Sequence, residues 1–242
     1  KANLNRNDFL LICLKKALSL YILFIGIMTL ARVFFVGYFS PPGLVETNTP
    51  EIMQAFYMGW RYDTIVASYL LAPFAVLSIL ISAIKWRFLA NVFFKLSFTF
   101  YLLMALVVLF LVGADLGFYS YFQDHLNILF FGLIEDDTQA LMETVWKNYP
   151  VVWALGGLVF VVGLLWYSIA KVFKPLDKYN SFFHPGGFKF LLMSLATLVL
   201  LFGGARGGYG DMVLSPKYAD FSSNIFINQI AVNGILSFEK AV

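Results

Sequence analysis

Lys95-Leu96-Ser97-Phe98-Thr99-Phe100-Tyr101-Leu102-Leu103-Met104-Ala105-Leu106-Val107-Val108-Leu109-Phe110-Leu111-Val112-Gly113-Ala114-Asp115 carries a charge only at its two ends. A helix rises about 1.5 Å per residue, and about 20 apolar residues cross the ~30 Å hydrocarbon layer of a bilayer. Leu96 to Gly113 therefore reads as a membrane span. It is helical because no water is present in the layer to satisfy an unpaired backbone. Four other stretches read the same way: Leu18 to Phe39, Thr64 to Ile84, Val151 to Ala170 and Phe188 to Gly204. The expected fold class is an all-α polytopic membrane protein with five transmembrane helices, at about 18–39, 64–84, 96–113, 151–170 and 188–204.

Charge orients those spans, because Lys and Arg near span ends are retained on the cytoplasmic side while acids contribute little. Lys1, Arg6, Lys15 and Lys16 precede the first span; Lys85, Arg87 and Lys95 lie between the second and third; Lys171, Lys174, Lys178 and Lys189 lie between the fourth and fifth. The other six of the seventeen basic residues, Arg32, Arg61, Lys147, Arg206, Lys217 and Lys240, share the opposite side with all the acids except Asp8 and Asp177. The amino terminus is expected inside and the carboxyl terminus outside.

Composition agrees with this reading. A chain that is 60% hydrophobic and 13% charged is far from the roughly 25% charged residues of globular domains. The net charge of +3 comes from dispersed membrane flanks and forms no stripe with a nucleic-acid reading motif, so no nucleic-acid partner is expected. Cys13 is the single cysteine, which excludes an intrachain disulfide. No cleavable leader precedes the first span, which is expected to act as an uncleaved anchor. The tail from 205 to 242 is expected to lead outside the membrane into an extracytoplasmic domain that these residues do not include.

Between the spans, Pro41-Pro42-Gly43 and Pro50 predict turns, followed by a short amphipathic stretch from Glu51 to Gly59. Asp63 is expected to cap the amino end of the second span. The largest outer excursion, Ala114 to Pro150, predicts two short interfacial helices within about 115–147. Neither an internal repeat nor a linker divides the chain, so residues 1–242 form one membrane domain.

Chemistry-bearing residues are few. His125 and His184 fall on opposite sides of the membrane in this topology, and Cys13 cannot complete a zinc set with either. Glu135, Asp136 and Asp137 suit a solvated helix start better than a cation site. No Ser/His/Asp pattern or phosphate-cradling loop is present. Arg61 sits at the outer boundary of a span; its guanidinium suits a lipid phosphate, or alternatively snorkels or pairs with Asp63. Arg206 follows the fifth span within Gly203-Gly204-Ala205-Arg206-Gly207-Gly208, which reads either as a helix stop or as an anion-binding turn with backbone N–H groups. Asn224, Asn228 and Asn233 interrupt an apolar tail, where asparagines commonly cap or bridge turns.

Taken together, Gly59-Trp60-Arg61-Tyr62-Asp63, Asp115-Leu116-Gly117-Phe118-Tyr119, Arg206-Gly207-Gly208 and the tail from Tyr218 to Gly234 resemble the membrane half of the lipoteichoic acid synthase family. That family comprises phosphoglycerol and phosphoethanolamine transferases of the alkaline phosphatase and sulfatase superfamily, and the resemblance covers nearly the whole chain. Gly234 departs from it, standing where many relatives have proline. The resemblance implies five spans followed by an extracytoplasmic α/β domain with a threonine nucleophile and a divalent metal: manganese, magnesium or zinc. No catalytic residue and no cofactor site is expected among the residues at hand. The chain would anchor that domain, its own or an associated one, at the outer face of a bacterial cytoplasmic membrane and present a phospholipid donor to it.

The candidate headgroup or phosphate contacts are Arg61, Asp63, Arg206, Gly207, Gly208 and Asn228. The alternative function is a non-catalytic five-span scaffold that binds another membrane protein. A transporter fits less well, because Arg32 is the one ionisable candidate within a span and can reach the outer interface.

Overall fold

The computed structural model describes residues 2–4, 6–83, 87–127, 143, 146–147, 151–173, 179–182, 187–208 and 214–235. The chain enters through a short strand, β1 (Ala2–Leu4), and continues into a 34-residue helix, α1 (Arg6–Phe39). One helical turn, α2 (Leu44–Thr47), leads to α3 (Thr49–Ala83), and α4 (Arg87–Phe122) follows. Next come α5 (Val151–Val172), β2 (Tyr179–Phe182) and α6 (Phe188–Arg206). A 3₁₀ turn (Pro216–Ala219) and a short helix, α7 (Ile225–Ala231), complete the described chain. Among the described residues the fold is helical except for one parallel pairing, in which β1 lies against β2.

Among the described residues four helices, α1, α3, α4 and α6, are long and apolar enough to cross a membrane. Helix α5 is a further apolar helix of 22 residues. Large apolar side chains point outward along α5 and α6, among them Val159, Phe160, Leu200 and Phe202. An exposed apolar surface of that extent marks contact with lipid or protein rather than water.

Three helices overrun the hydrocarbon layer: at about 1.5 Å per residue, α1, α3 and α4 are each about 50 Å long. This changes two expectations. Helix α3 starts at Thr49 and passes unbroken through Gly59 and Asp63, so Asp63 lies within the helix and caps nothing. Pro50 falls in its first turn, where a missing N–H costs no hydrogen bond. Helix α4 runs on to Phe122, so residues 115–122 extend a span instead of forming a separate surface helix. The second expected surface helix lies outside the described residues, apart from Glu143, Trp146 and Lys147.

The helices alternate in direction, as contacts at the two ends show. At one end Phe9 stacks on Phe94 (5.8 Å between ring centroids), and Phe94 meets Phe173 edge-on (6.2 Å). Lys16 lies over both of the latter rings, and its ammonium donates to the carbonyl of Val172 at the carboxyl end of α5. A cation there matches the negative pole of the helix. At the other end Phe35 of α1 stacks on Phe226 of α7 and meets Tyr119 of α4 edge-on. Helix α3 packs against α1, α4, α6 and α7, and so forms the central pillar.

Candidate functional site

Gly207 and Gly208 owe their conformation to the end of α6. Gly207 adopts the left-handed region (φ 76°), and its N–H and that of Gly208 donate to the carbonyls of Gly204 (3.0 Å) and Gly203 (2.8 Å). This paired closure is a Schellman-type stop, which consumes the donors an anion-binding turn would need. Gly207 and Gly208 are therefore a helix stop and supply no N–H to a phosphate. Gly207 cannot be replaced without strain, since a Cβ would lie 2.6 Å from the Leu214 Cβ.

Closure of α6 leaves the Gly207 carbonyl facing α3, where Arg61 donates to it from Nε (3.0 Å) and Nη2 (2.8 Å). Nη1 has only the Met58 sulfur at 3.8 Å. The guanidinium also lies 5.9 Å from the ring centroid of Tyr57, within cation–π range. Arg61 is thus fixed by one neutral carbonyl and an aromatic face, with no carboxylate neutralising it among the described residues; the expected alternative of a pair with Asp63 does not form.

Arg61 lines one end of a cleft of about 770 Å³ between α1, α3 and α6. From there the cleft passes Thr64, Ser68 and Leu71 to a far end formed by Leu14, Ala75 and Met193. Gly204 lets α6 approach α3 in its wall, because a Cβ would fall 2.1 Å from the Ser68 hydroxyl and 3.2 Å from its Cβ. Arg206 does not line this cleft, so the two arginines do not converge on one cavity.

Asp63 points to the opposite side of α3 and is 0% exposed. Its carboxylate receives both Nη groups of Arg32 (2.6 and 3.0 Å) and the Asn233 amide (2.7 Å). The Arg32 Nε completes the set by donating to the Ile230 carbonyl (2.8 Å). Arg32 is only 5% exposed and is locked into this lattice, so it does not snorkel to the interface. Gly59 makes room, for a Cβ there would lie 2.4 Å from the Arg32 guanidinium carbon. Asp63 is accordingly a buried clamp between α1, α3 and the tail, and is withdrawn as a headgroup contact.

Asn228 is also structural. Its Oδ1 accepts from the backbone N–H groups of Phe221 (3.2 Å) and Ser222 (2.8 Å), while Nδ2 donates to the Ser222 carbonyl (2.8 Å). Asn224 caps α7 through the N–H of Phe226 (3.0 Å).

A second buried network joins α4 to α7 through His125. Nδ1 lies 2.8 Å from Asp115 Oδ2, and Nε2 lies 2.9 Å from the Gln229 carbonyl. Both neighbours only accept, so the ring satisfies both by carrying two protons. Burial pushes its pKa down, but the Asp115 hydrogen bond and charge, aided by the Gln229 carbonyl and Asp124, outweigh it and hold His125 above the ordinary 6.5. A small cavity of about 30 Å³ separates Arg32 and Asn233 from Asp115 and His125. The signal for this pair in sequence was thin: an Asp at the end of a span and a His beyond it, with no indication of the fold-back that joins them.

Among the described residues no group of three or more His, Cys, Asp or Glu side chains could hold a metal ion. No protein-family model, curated protein or solved structure matches the chain.

Proposed function

We propose that this chain is the membrane-anchoring and lipid-presenting part of a phospholipid headgroup transferase, a five-span domain with its amino terminus in the cytoplasm and its catalytic groups outside these residues. The observation that carries the reading is Arg61: a cation with no carboxylate partner among the described residues, at the mouth of a largely apolar cleft between helices able to cross a membrane. Such a site combines a phosphate contact with an apolar receptacle, the two halves of a phospholipid. The resemblance in sequence supplies the reaction class, transfer of a phosphoglycerol or phosphoethanolamine group at the outer face of a bacterial cytoplasmic membrane. By that resemblance a divalent metal and a threonine nucleophile carry the displacement, and no residue described here is assigned to that step. Holding the donor beside a tethered catalytic domain contributes rate by raising effective concentration.

The test uses the full-length protein and phosphatidylglycerol or phosphatidylethanolamine with a labelled glycerol backbone, reading diacylglycerol release in the presence of manganese, magnesium or zinc. Arg61→Ala is expected to raise KM for the donor by about 10-fold or more while changing kcat little, since a charge-assisted contact to phosphate is worth about 1.5–3 kcal/mol. An unchanged KM would remove Arg61 from the donor site. No release by the wild-type protein under any of these metals would favour the scaffold alternative.

A further inference from the structure

The cleft below Arg61 has a defined depth. Along α3, Arg61 to Ala75 advances about 21 Å at about 1.5 Å per residue. Helix α6 gives the same distance from Gly207 down to Met193, about 21 Å. Both walls therefore end at one level, where Leu14 of α1 joins Ala75 and Met193. Both threonines along this length are satisfied within the protein. Thr64 donates to the Trp60 carbonyl (2.8 Å) and shares a hydrogen bond with the Tyr21 hydroxyl (2.8 Å), and Thr197 donates to the Met193 carbonyl (2.7 Å). Arg61 is the only charged residue lining the cleft among those described. Its chemistry is that of an anionic head followed by an uninterrupted hydrocarbon.

We propose that the cleft is a measuring site for the acyl tail of a glycerophospholipid. The lipid phosphate lies at Arg61 and the terminal methyl at Leu14, Ala75 and Met193. C–C bonds of about 1.5 Å advance an extended chain by about 1.25 Å per methylene; with about 6 Å taken by the phosphate, glycerol and ester atoms, the remaining roughly 15 Å accommodates about 12 acyl carbons. The volume of about 770 Å³ is within the range of small-molecule sites, roughly 300–1,000 Å³. A polyisoprenoid tail several times longer would overrun the far end. The inference rests on Arg61 as the headgroup contact but is independent of any transfer chemistry.

Full-length protein in detergent is titrated with octanoyl, dodecanoyl and palmitoyl phosphatidylglycerols, and binding is read by native mass spectrometry. The dodecanoyl lipid is expected to bind about fivefold or more tightly than either neighbour, a margin of the size that packing alone gives within hydrocarbon. Ala196 is exposed to the cleft about 16 Å below Gly207 along α6, so Ala196→Phe should obstruct its lower part. That variant is expected to abolish the dodecanoyl advantage while retaining the octanoyl lipid. Ala75→Leu, at the far end, gives the same shift from the opposite wall and stands in if the first variant does not fold. Arg61→Ala should weaken all three lipids by a common factor. Equal binding of all lengths by the wild type, or a dodecanoyl preference that survives both cleft variants, overturns the proposal. A length preference in a protein that releases no diacylglycerol removes the transferase reading and leaves this one standing.

Discussion

Arg61 and Asp63 are two residues apart, and about half a helical turn separates their roles. Residues two apart on a helix do not face each other, so Asp63 meets α1 and the tail while Arg61 meets α6. The sequence shows an acid and a base side by side and does not say which face each takes, because α1 and α6 decide that. Breaking a buried ion pair leaves an uncompensated charge, a loss of about 3–5 kcal/mol. Asp63→Ala is therefore expected to lower thermal stability in detergent sharply, and Arg32→Met combined with Asp63→Leu to recover much of it. If the double variant melts no higher than the single one, the pair is not a coupled unit. The second buried network predicts a pH response. The folded-state pKa of His125 is raised, so its stabilisation is complete below about 6.5 and is lost as pH rises through the folded value. Asp115 and Asp124 favour the charged ring, and Arg32, across the small cavity, is already paired with Asp63. The melting temperature should fall on raising the pH from 6.5, and His125→Phe should flatten that slope. A slope unchanged by the substitution would assign the response to other groups. Gly234 belongs to the same contact: a Cβ there would lie 2.5 Å from the Asp115 Cβ.

At the scale of elements, the apolar helices were legible because length and apolarity are written directly in the sequence; four of the five apolar stretches lie in helices long and apolar enough to cross a membrane, and Val151 to Ala170 lies in α5. Their ends were not, because hydrocarbon thickness limits the apolar run and not the helix. Glu51 to Asp63 continues α3 beyond the apolar run by packing against α1 and α7, contacts that no local pattern announces. The glycine-rich end of α6 was legible as a stop, while its engaged N–H groups became visible only with the fold. Arg61 was legible as a headgroup candidate by its place at a span boundary, but the cleft beneath it depends on three helices distant in sequence. Gly204 tests that assembly. Gly204→Val would place a branched Cβ against Ser68, whose hydroxyl can rotate away but whose Cβ cannot, so α6 must move off α3. The expected result is a stability loss of about 1–3 kcal/mol with weaker phospholipid binding. Ser68→Gly combined with Gly204→Val should restore part of both, and no restoration would place the defect elsewhere on α6.

The whole molecule is arranged with a basic end and an acidic end. Lys16 shares one end with Phe94 and Phe173, the neighbours of Lys95 and Lys171, and the β1–β2 pairing joins the chain start to the connection before α6. The opposite end gathers Asp63, Asp115 and Asp124 around the tail, and Glu51 accepts from Ser222 there. Helix directions alternate across this axis, so the positive-inside rule applied to the basic end predicts one orientation for the entire bundle. The orientation so proposed has the mouth of the cleft at Arg61 on the outer face and its far end toward the cytoplasm. Glu46 and Asp220 are exposed at the acidic end and Lys189 is exposed at the start of α6. In a Cys13→Ala background, cysteines at Glu46 and Asp220 should react with an impermeant maleimide added to intact cells. Cysteines at Lys189 and at Asp177, in the connection before it, should react only after permeabilisation. Labelling of Lys189→Cys in intact cells together with protection of Glu46→Cys would invert the bundle. An inverted bundle would open the cleft to the cytoplasmic leaflet and remove an outer-face donor from the proposed function.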